Sequence, residues 1–153
     1  MFRTTWAVLA GSAILLLTCT VMAGGETEKE LKKFEGTWTV VGLETKGKAL
    51  PEDALKQINL KVMFKGDKYT VEAMGEFAEE GTIKIDPTKK PAAIDLKITK
   101  GKDEGKSQQG IYELQGDTLK ICMAPAGAEK RPTAFKSEEG SEIELFTLKR
   151  DKK

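Results

Sequence analysis

Phe34-Glu35-Gly36-Thr37-Trp38-Thr39-Val40-Val41 opens the first alternating stretch of this chain, and Phe146-Thr147-Leu148-Lys149-Arg150 closes the last one. Trp38 and Val40 alternate with Thr37 and Thr39; Phe146 and Leu148 alternate with Thr147 and Lys149. Period-two alternation is the mark of a strand with one dry face. Six more runs lie between them: Leu60-Val62-Phe64, Tyr69-Val71-Ala73, Gly81-Ile83-Ile85, Ile94-Leu96-Ile98, Tyr112-Leu114 and Leu119-Ile121, each counted at every second residue. Eight strands with one wet face must cover the other face, and curling into an antiparallel up-and-down barrel does this while removing free edges. The last of eight strands runs antiparallel to the first, so the start of one meets the end of the other. That meeting places the Arg150 guanidinium on the Trp38 indole beside Gly36, as a floor to the barrel, where a desolvated cation–π contact is worth about 1–2 kcal/mol. The alternative leaves Arg150 as one more surface charge among Lys149, Asp151, Lys152 and Lys153.

The connections divide the barrel into unlike ends. Gly66-Asp67, Asp86-Pro87-Thr88-Lys89-Lys90-Pro91 and Gly116-Asp117 read as turns at one end. The other end receives a tight Gly75 turn, the Gly101–Gly105 loop and the long 124–142 segment. It also receives one short helix between the first and second strands, at Pro51-Glu52-Asp53-Ala54-Leu55-Lys56-Gln57, where Pro and two acids suit a first turn. Broad loops on a rigid scaffold are where binding resides.

Residues 1–23 read as a signal peptide. Arg3 is its one charge, Ala7 to Val21 is apolar or small, and Val21-Met22-Ala23 puts small residues at the −3 and −1 positions of a cleavage site. Two alternatives stand beside cleavage after Ala23. One is an uncleaved membrane anchor; the other is a lipoprotein, because Leu16-Leu17-Thr18-Cys19 resembles a lipobox with Cys19 as the lipidated residue. The expectation is export to the periplasm or the cell exterior. Residues 24–33 are polar and read as a flexible leader, which leaves 34–150 for the barrel domain.

Composition excludes several kinds of chemistry. The signal segment carries Arg3 and no acid, so 24 of the 25 basic residues remain against 24 acidic ones. That balance gives no long-range pull toward nucleic acid. Histidine is absent, and Cys122 is the one cysteine beyond the signal segment, with neither a disulfide partner nor a base to activate it. No P-loop, dinucleotide fingerprint or cation-loop spacing is present. Glu79-Glu80 and Glu138-Glu139 are adjacent, so on strands they face opposite ways, a poor geometry for paired acid–base work. The reading is a protein that is not an enzyme, needs no metal or cofactor and works as a monomer.

An eight-stranded barrel is just wide enough to be filled by side chains or to hold one small ligand, and the apolar face of these runs is compatible with either. Three residues are candidates for ligand contact. Glu79 is in phase with Phe77 and Ile83, which would point it inward, but a bulge near Glu79-Glu80-Gly81 is the favoured reading and would turn it out. Arg131 and Phe135 belong to the long segment at the broad end and are placed to hold an anionic head group or a partner protein.

Gly36-Thr37-Trp38 with Arg150 resembles the lipocalin (calycin) pattern, in which a Gly-x-Trp begins the first strand and a late Arg packs across the Trp. More closely, the chain is similar to a family of small exported bacterial lipocalin-like domains to which no activity attaches. That closer resemblance rests on Leu50-Pro51-Glu52-Asp53-Ala54-Leu55, Phe64-Lys65-Gly66-Asp67-Lys68-Tyr69, Gly110-Ile111-Tyr112-Glu113-Leu114, Gly116-Asp117-Thr118-Leu119-Lys120-Ile121-Cys122 and Arg131-Pro132-Thr133-Ala134-Phe135. The resemblance implies the barrel; the apolar inner face and the unlike ends point to a non-catalytic exported domain that binds a small hydrophobic molecule at its broad end. The alternative is a packed barrel serving as an envelope protein–protein interaction module.

Overall fold

A computed structural model describes residues 22–153. The expectations for the signal core and for Cys19 therefore fall outside the described residues. The elements are α1 (Met22–Phe34), β1 (Gly36–Thr45), β2 (Lys48–Ala49), α2 (Glu52–Ile58), β3 (Lys61–Lys65), β4 (Lys68–Ala73), β5 (Glu76–Asp86), β6 (Ala92–Gly101), β7 (Ser107–Gln115), β8 (Thr118–Met123) and β9 (Glu144–Arg150). From β1 through β3 to β9 each strand pairs antiparallel with the next, and β9 pairs back onto β1. The result is a closed eight-stranded barrel, consistent with a lipocalin-like fold, with the two-residue β2 folded against the end of β1.

Closure runs through seven residue pairs, from Trp38 opposite Arg150 to Thr45 opposite Glu144, with a bulge between Val40 and Gly42. Apolar residues on the inner face of each strand meet in one core that includes Trp38, Phe64, Tyr69, Ile94, Leu119 and Leu148. Helix α2 lies against β1 and buries Leu55; Asn59, left-handed at φ 42°, ends it. Glu52 and Lys56 form an exposed ion pair one turn apart at 2.8 Å. A solvent-exposed pair of this kind adds little, so the helix is held by Leu55.

The segment 24–33 corrects the expectation of a flexible leader, because it forms the body of α1. Its polar surface hides two anchors at helical spacing, Leu31 and Phe34, and both pack on the core. Phe34 plugs the tight-turn end, edge-on to Phe64 at 5.4 Å and to Tyr112 at 5.1 Å between ring centroids. The last carbonyls of a helix lack partners within it. Here Trp38 Nε1 donates to the Phe34 carbonyl at 2.7 Å, and Arg150 donates through Nη2 to the Lys33 carbonyl and through Nη1 to that of Glu35. The Arg150 guanidinium carbon lies 4.3 Å from the centroid of the Trp38 ring, and its Nε donates to Asp117 at 3.0 Å. Gly36, beside this guanidinium, sits at φ +119°, a backbone conformation that side-chain-bearing residues rarely adopt.

The 124–142 segment is only partly where expected. Its first part runs as a strap along the outside of β6, β7 and β8, and its later part reaches the β1–β2 turn at the broad end, where Gly47 N donates to Ser137 Oγ at 3.2 Å. Ala124 N donates to the Gln109 carbonyl and Gly127 N to that of Ser107, both along the outer part of β7. Further on, the Cys122 Sγ–H faces the carbonyls of Ala134 at 3.4 Å and Lys136 at 3.7 Å. Beneath the strap, the outward-facing Ala93, Ile111 and Cys122 are buried as a second, smaller apolar layer. Cys122 alternates with the inward-facing Ile121 on β8 and so faces outward, into this layer.

Candidate functional site

The barrel is not filled. Above the floor of Phe64, Tyr69, Ile94 and Leu148 lies a cavity of about 410 Å³. Leu60, Val62, Val71, Leu96 and Phe146 line it and remain only partly buried, because no described residue fills the space on their inner sides. Its mouth is at the broad end, where Lys102 and Asp103 of the β6–β7 turn join the lining with Gln108, Met123 and Glu144. Pockets for small molecules fall at about 300–1,000 Å³, with mostly apolar walls and few polar groups. This one is of that kind.

Glu79 is one of those polar groups. Pairing of β5 with β6 shifts between Glu80 and Gly81, where the sequence suggested an irregularity, and pairing of β5 with β4 shifts one residue before Glu79. Val71 pairs with Glu79 and Glu72 with Phe77, so Ala78 is the extra residue. The bulge at Ala78 turns Phe77 out to solvent, where it is 54% exposed, and leaves Glu79 facing the cavity rather than turned out, in phase with Gly81 and Ile83. Phe77 is therefore not an inner-face residue.

Two further residues hold Glu79 in place. The Tyr69 hydroxyl donates to Glu79 Oε1 at 2.8 Å. Gly81 makes that reach available. A Cβ at Gly81 would fall 2.7 Å from the Tyr69 ring, 2.8 Å from its hydroxyl and onto the Lys97 carbonyl. Burial, then the hydrogen bond to Glu79 and its charge, push the Tyr69 hydroxyl far above the ordinary range. It stays a donor at neutral pH.

Glu144 is the polar group that sequence reasoning missed. It opens β9 in phase with Phe146 and Leu148, and all three line the cavity. Its side chain makes no hydrogen bond or ion pair with another described residue, and burial raises its carboxyl pKa. The signal was present in the sequence, since period two carried back from Leu148 through Phe146 lands on Glu144. Asp103, by contrast, is engaged by Lys106 at 2.7 Å, which holds its carboxyl below the usual range with a smaller contribution from Lys102.

The other two candidate ligand contacts do not join Glu79. Arg131 sits on the outer wall, donating through Nη1 to the carbonyls of Ile94 at 3.1 Å and Gly110 at 2.7 Å, and through Nη2 to Asp95 at 2.7 Å. Asp95 alternates with the inward-facing Ile94 and Leu96, so the guanidinium is on the far side of the strand from the cavity. Phe135 follows on the same strap, half-buried, and is not part of the cavity wall. The sequence located the segment at the broad end from its connectivity alone. It carried no signal that Arg131 would tie the segment down along the barrel side.

At the tight-turn end the Tyr112 hydroxyl is buried without a partner among the described residues. Among the described residues no group of three or more His, Cys, Asp or Glu side chains could hold a metal ion. No protein-family model matches the chain, and comparison with curated proteins finds no match.

Proposed function

We propose that this protein is an exported, monomeric, lipocalin-like binding module that carries one small hydrophobic molecule in its barrel and performs no chemistry on it. The observation that carries the reading is the unfilled interior. Five apolar side chains from β3, β4, β6 and β9 and the turn before β3 face a void of about 410 Å³ that opens at one end. A barrel selected only for rigidity would close that space, since interiors pack to the density of organic crystals. Gly36, Trp38 and Arg150 seal the opposite end, so cargo enters and leaves at the broad end. Export rests on the apolar segment after Arg3 and the Val21-Met22-Ala23 cleavage pattern; attachment to a membrane through a lipid on Cys19 is the variant of the same reading.

The test is binding of a neutral apolar fluorophore, Nile red, to the purified protein, with native mass spectrometry of the same sample. The expected result is saturable one-to-one binding that Val71→Trp abolishes by filling the cavity while circular dichroism stays that of the barrel. Absence of Nile red binding together with absence of any co-purified molecule overturns the proposal.

A further inference from the structure

Resting on that carrier reading, we infer that the cavity takes apolar molecules with a cationic, hydrogen-bond-donating head group, an aliphatic amine above all, and turns away carboxylates. Glu79 and Glu144 enter the cavity from β5 and β9, which stand four strands apart in the ring of eight and so form opposite walls. Both lie toward the broad end: Glu79 is level with Gly101 at the end of β6, and Glu144 is level with Thr45 at the end of β1. A head group at the mouth therefore meets a carboxylate on either side.

The remaining charges do not cancel these two. Asp103 has its own partner in Lys106. Among the described residues Lys102 is the one cation of the lining; it is exposed on the β6–β7 turn, and its charge already acts on Asp103. Glu79 uses one oxygen for the Tyr69 hydroxyl, and its Oε2 accepts from no other described residue. Glu144 has no partner at all among the described residues, although burial disfavours its charge. An ammonium offers three donors and relieves both deficits, whereas a carboxylate adds a third negative charge in a poorly solvated space. Neutral alcohols donate one hydrogen bond and fall between.

The test displaces Nile red with decylamine, decanol and decanoate at pH 7 and low salt, each below its micellar concentration. The expected order is amine, alcohol, carboxylate, with decylamine effective at concentrations roughly tenfold or more below decanoate. Glu144→Gln and Glu79→Gln, each checked for the barrel spectrum, are expected to shrink the amine's advantage over decanol, and the double variant to remove it. Decanoate equal to or better than decylamine overturns the inference, as does an amine preference that survives in the double variant. If the protein binds no Nile red, the carrier reading itself falls and this inference with it. Nile red binding with the wrong head-group order overturns the inference alone.

Discussion

The Tyr69 hydroxyl and the Glu79 carboxylate share a hydrogen bond of 2.8 Å inside the barrel, and this bond exists because residue 81 is glycine. The Tyr69 ring lies where a side chain at position 81 would otherwise stand. Tyr69→Phe is expected to cost about 1–2 kcal/mol, the value of a hydrogen bond to a charged group in a half-wet site. Gly81→Ala is expected to cost more, because its Cβ meets both the Tyr69 ring and the backbone carbonyl of Lys97, and only the ring can move. Urea unfolding of the two variants checks this ranking; an alanine at position 81 as stable as the parent would show that the packing is not as described.

Arg150 is expected to be the most costly surface-reaching residue to replace. It stacks on Trp38, pairs with Asp117 and caps two carbonyls at the end of α1. Arg150→Ala should lose about 2–4 kcal/mol, the sum of a cation–π contact and charge-assisted hydrogen bonds less their cost of solvent exposure. Lysine keeps the charge but lacks the planar fork, so Arg150→Lys should recover less than half of the loss. Full recovery by lysine would mean that charge alone matters here.

The barrel was legible in the sequence because its signal is repeated: eight alternating runs each report the same dry face, and Trp38 with Arg150 reports the closure. Helix α1 was not legible. It has two apolar anchors, Leu31 and Phe34, in a run of charges beginning with Gly24-Gly25, and its stability comes from tertiary contacts that only the closed barrel supplies. The site was half legible. Glu79 and Glu144 sit on strands, where phase predicts direction, and the shift in β4–β5 pairing one residue before Glu79 decided the first. Arg131 sits on a segment without period, where no local pattern says which wall it will cross.

Phe34→Ala is the corresponding test of α1. It removes the plug between Phe64 and Tyr112 and is expected to cost about 3–5 kcal/mol, as for other fully buried aromatic residues. Hydrogen exchange should then show the α1 amides exposed while those of β5 and β6 remain protected. Little loss of stability would mean that the helix is an ornament on a barrel that closes without it.

Glu144 gives a pH dependence with a definite sign. Its carboxyl pKa is raised in the fold by burial, so below the unfolded-state value it is protonated in both states and costs nothing. As pH rises through the raised value the folded protein must bury a charge, and stability falls. Glu144→Gln removes that penalty. It is expected to raise the melting temperature at pH 7 by roughly 2–4 °C for each kcal/mol relieved, and to leave it unchanged near pH 3.5. A gain of equal size at both pH values would assign the effect to something other than the carboxylate.

Cys122 reports on the strap. It is fully buried, its thiol faces the carbonyls of Ala134 and Lys136, and burial raises its pKa above that of an ordinary thiol. Thiol reagents attack the thiolate, so labelling requires the strap to open. Arg131 ties that strap to β6 and β7 through three hydrogen bonds, two of them to carbonyls that no substituted alanine can reach. In a Cys19→Ser background, which leaves one reactive thiol, Arg131→Ala is expected to speed labelling of Cys122 by roughly tenfold to a hundredfold, the equivalent of 1.4–2.8 kcal/mol of lost closure. Nile red affinity should stay the same, because the guanidinium is on the far side of β6 from the cavity. Loss of Nile red binding without faster labelling would return Arg131 to the ligand site and take the strap out of the account.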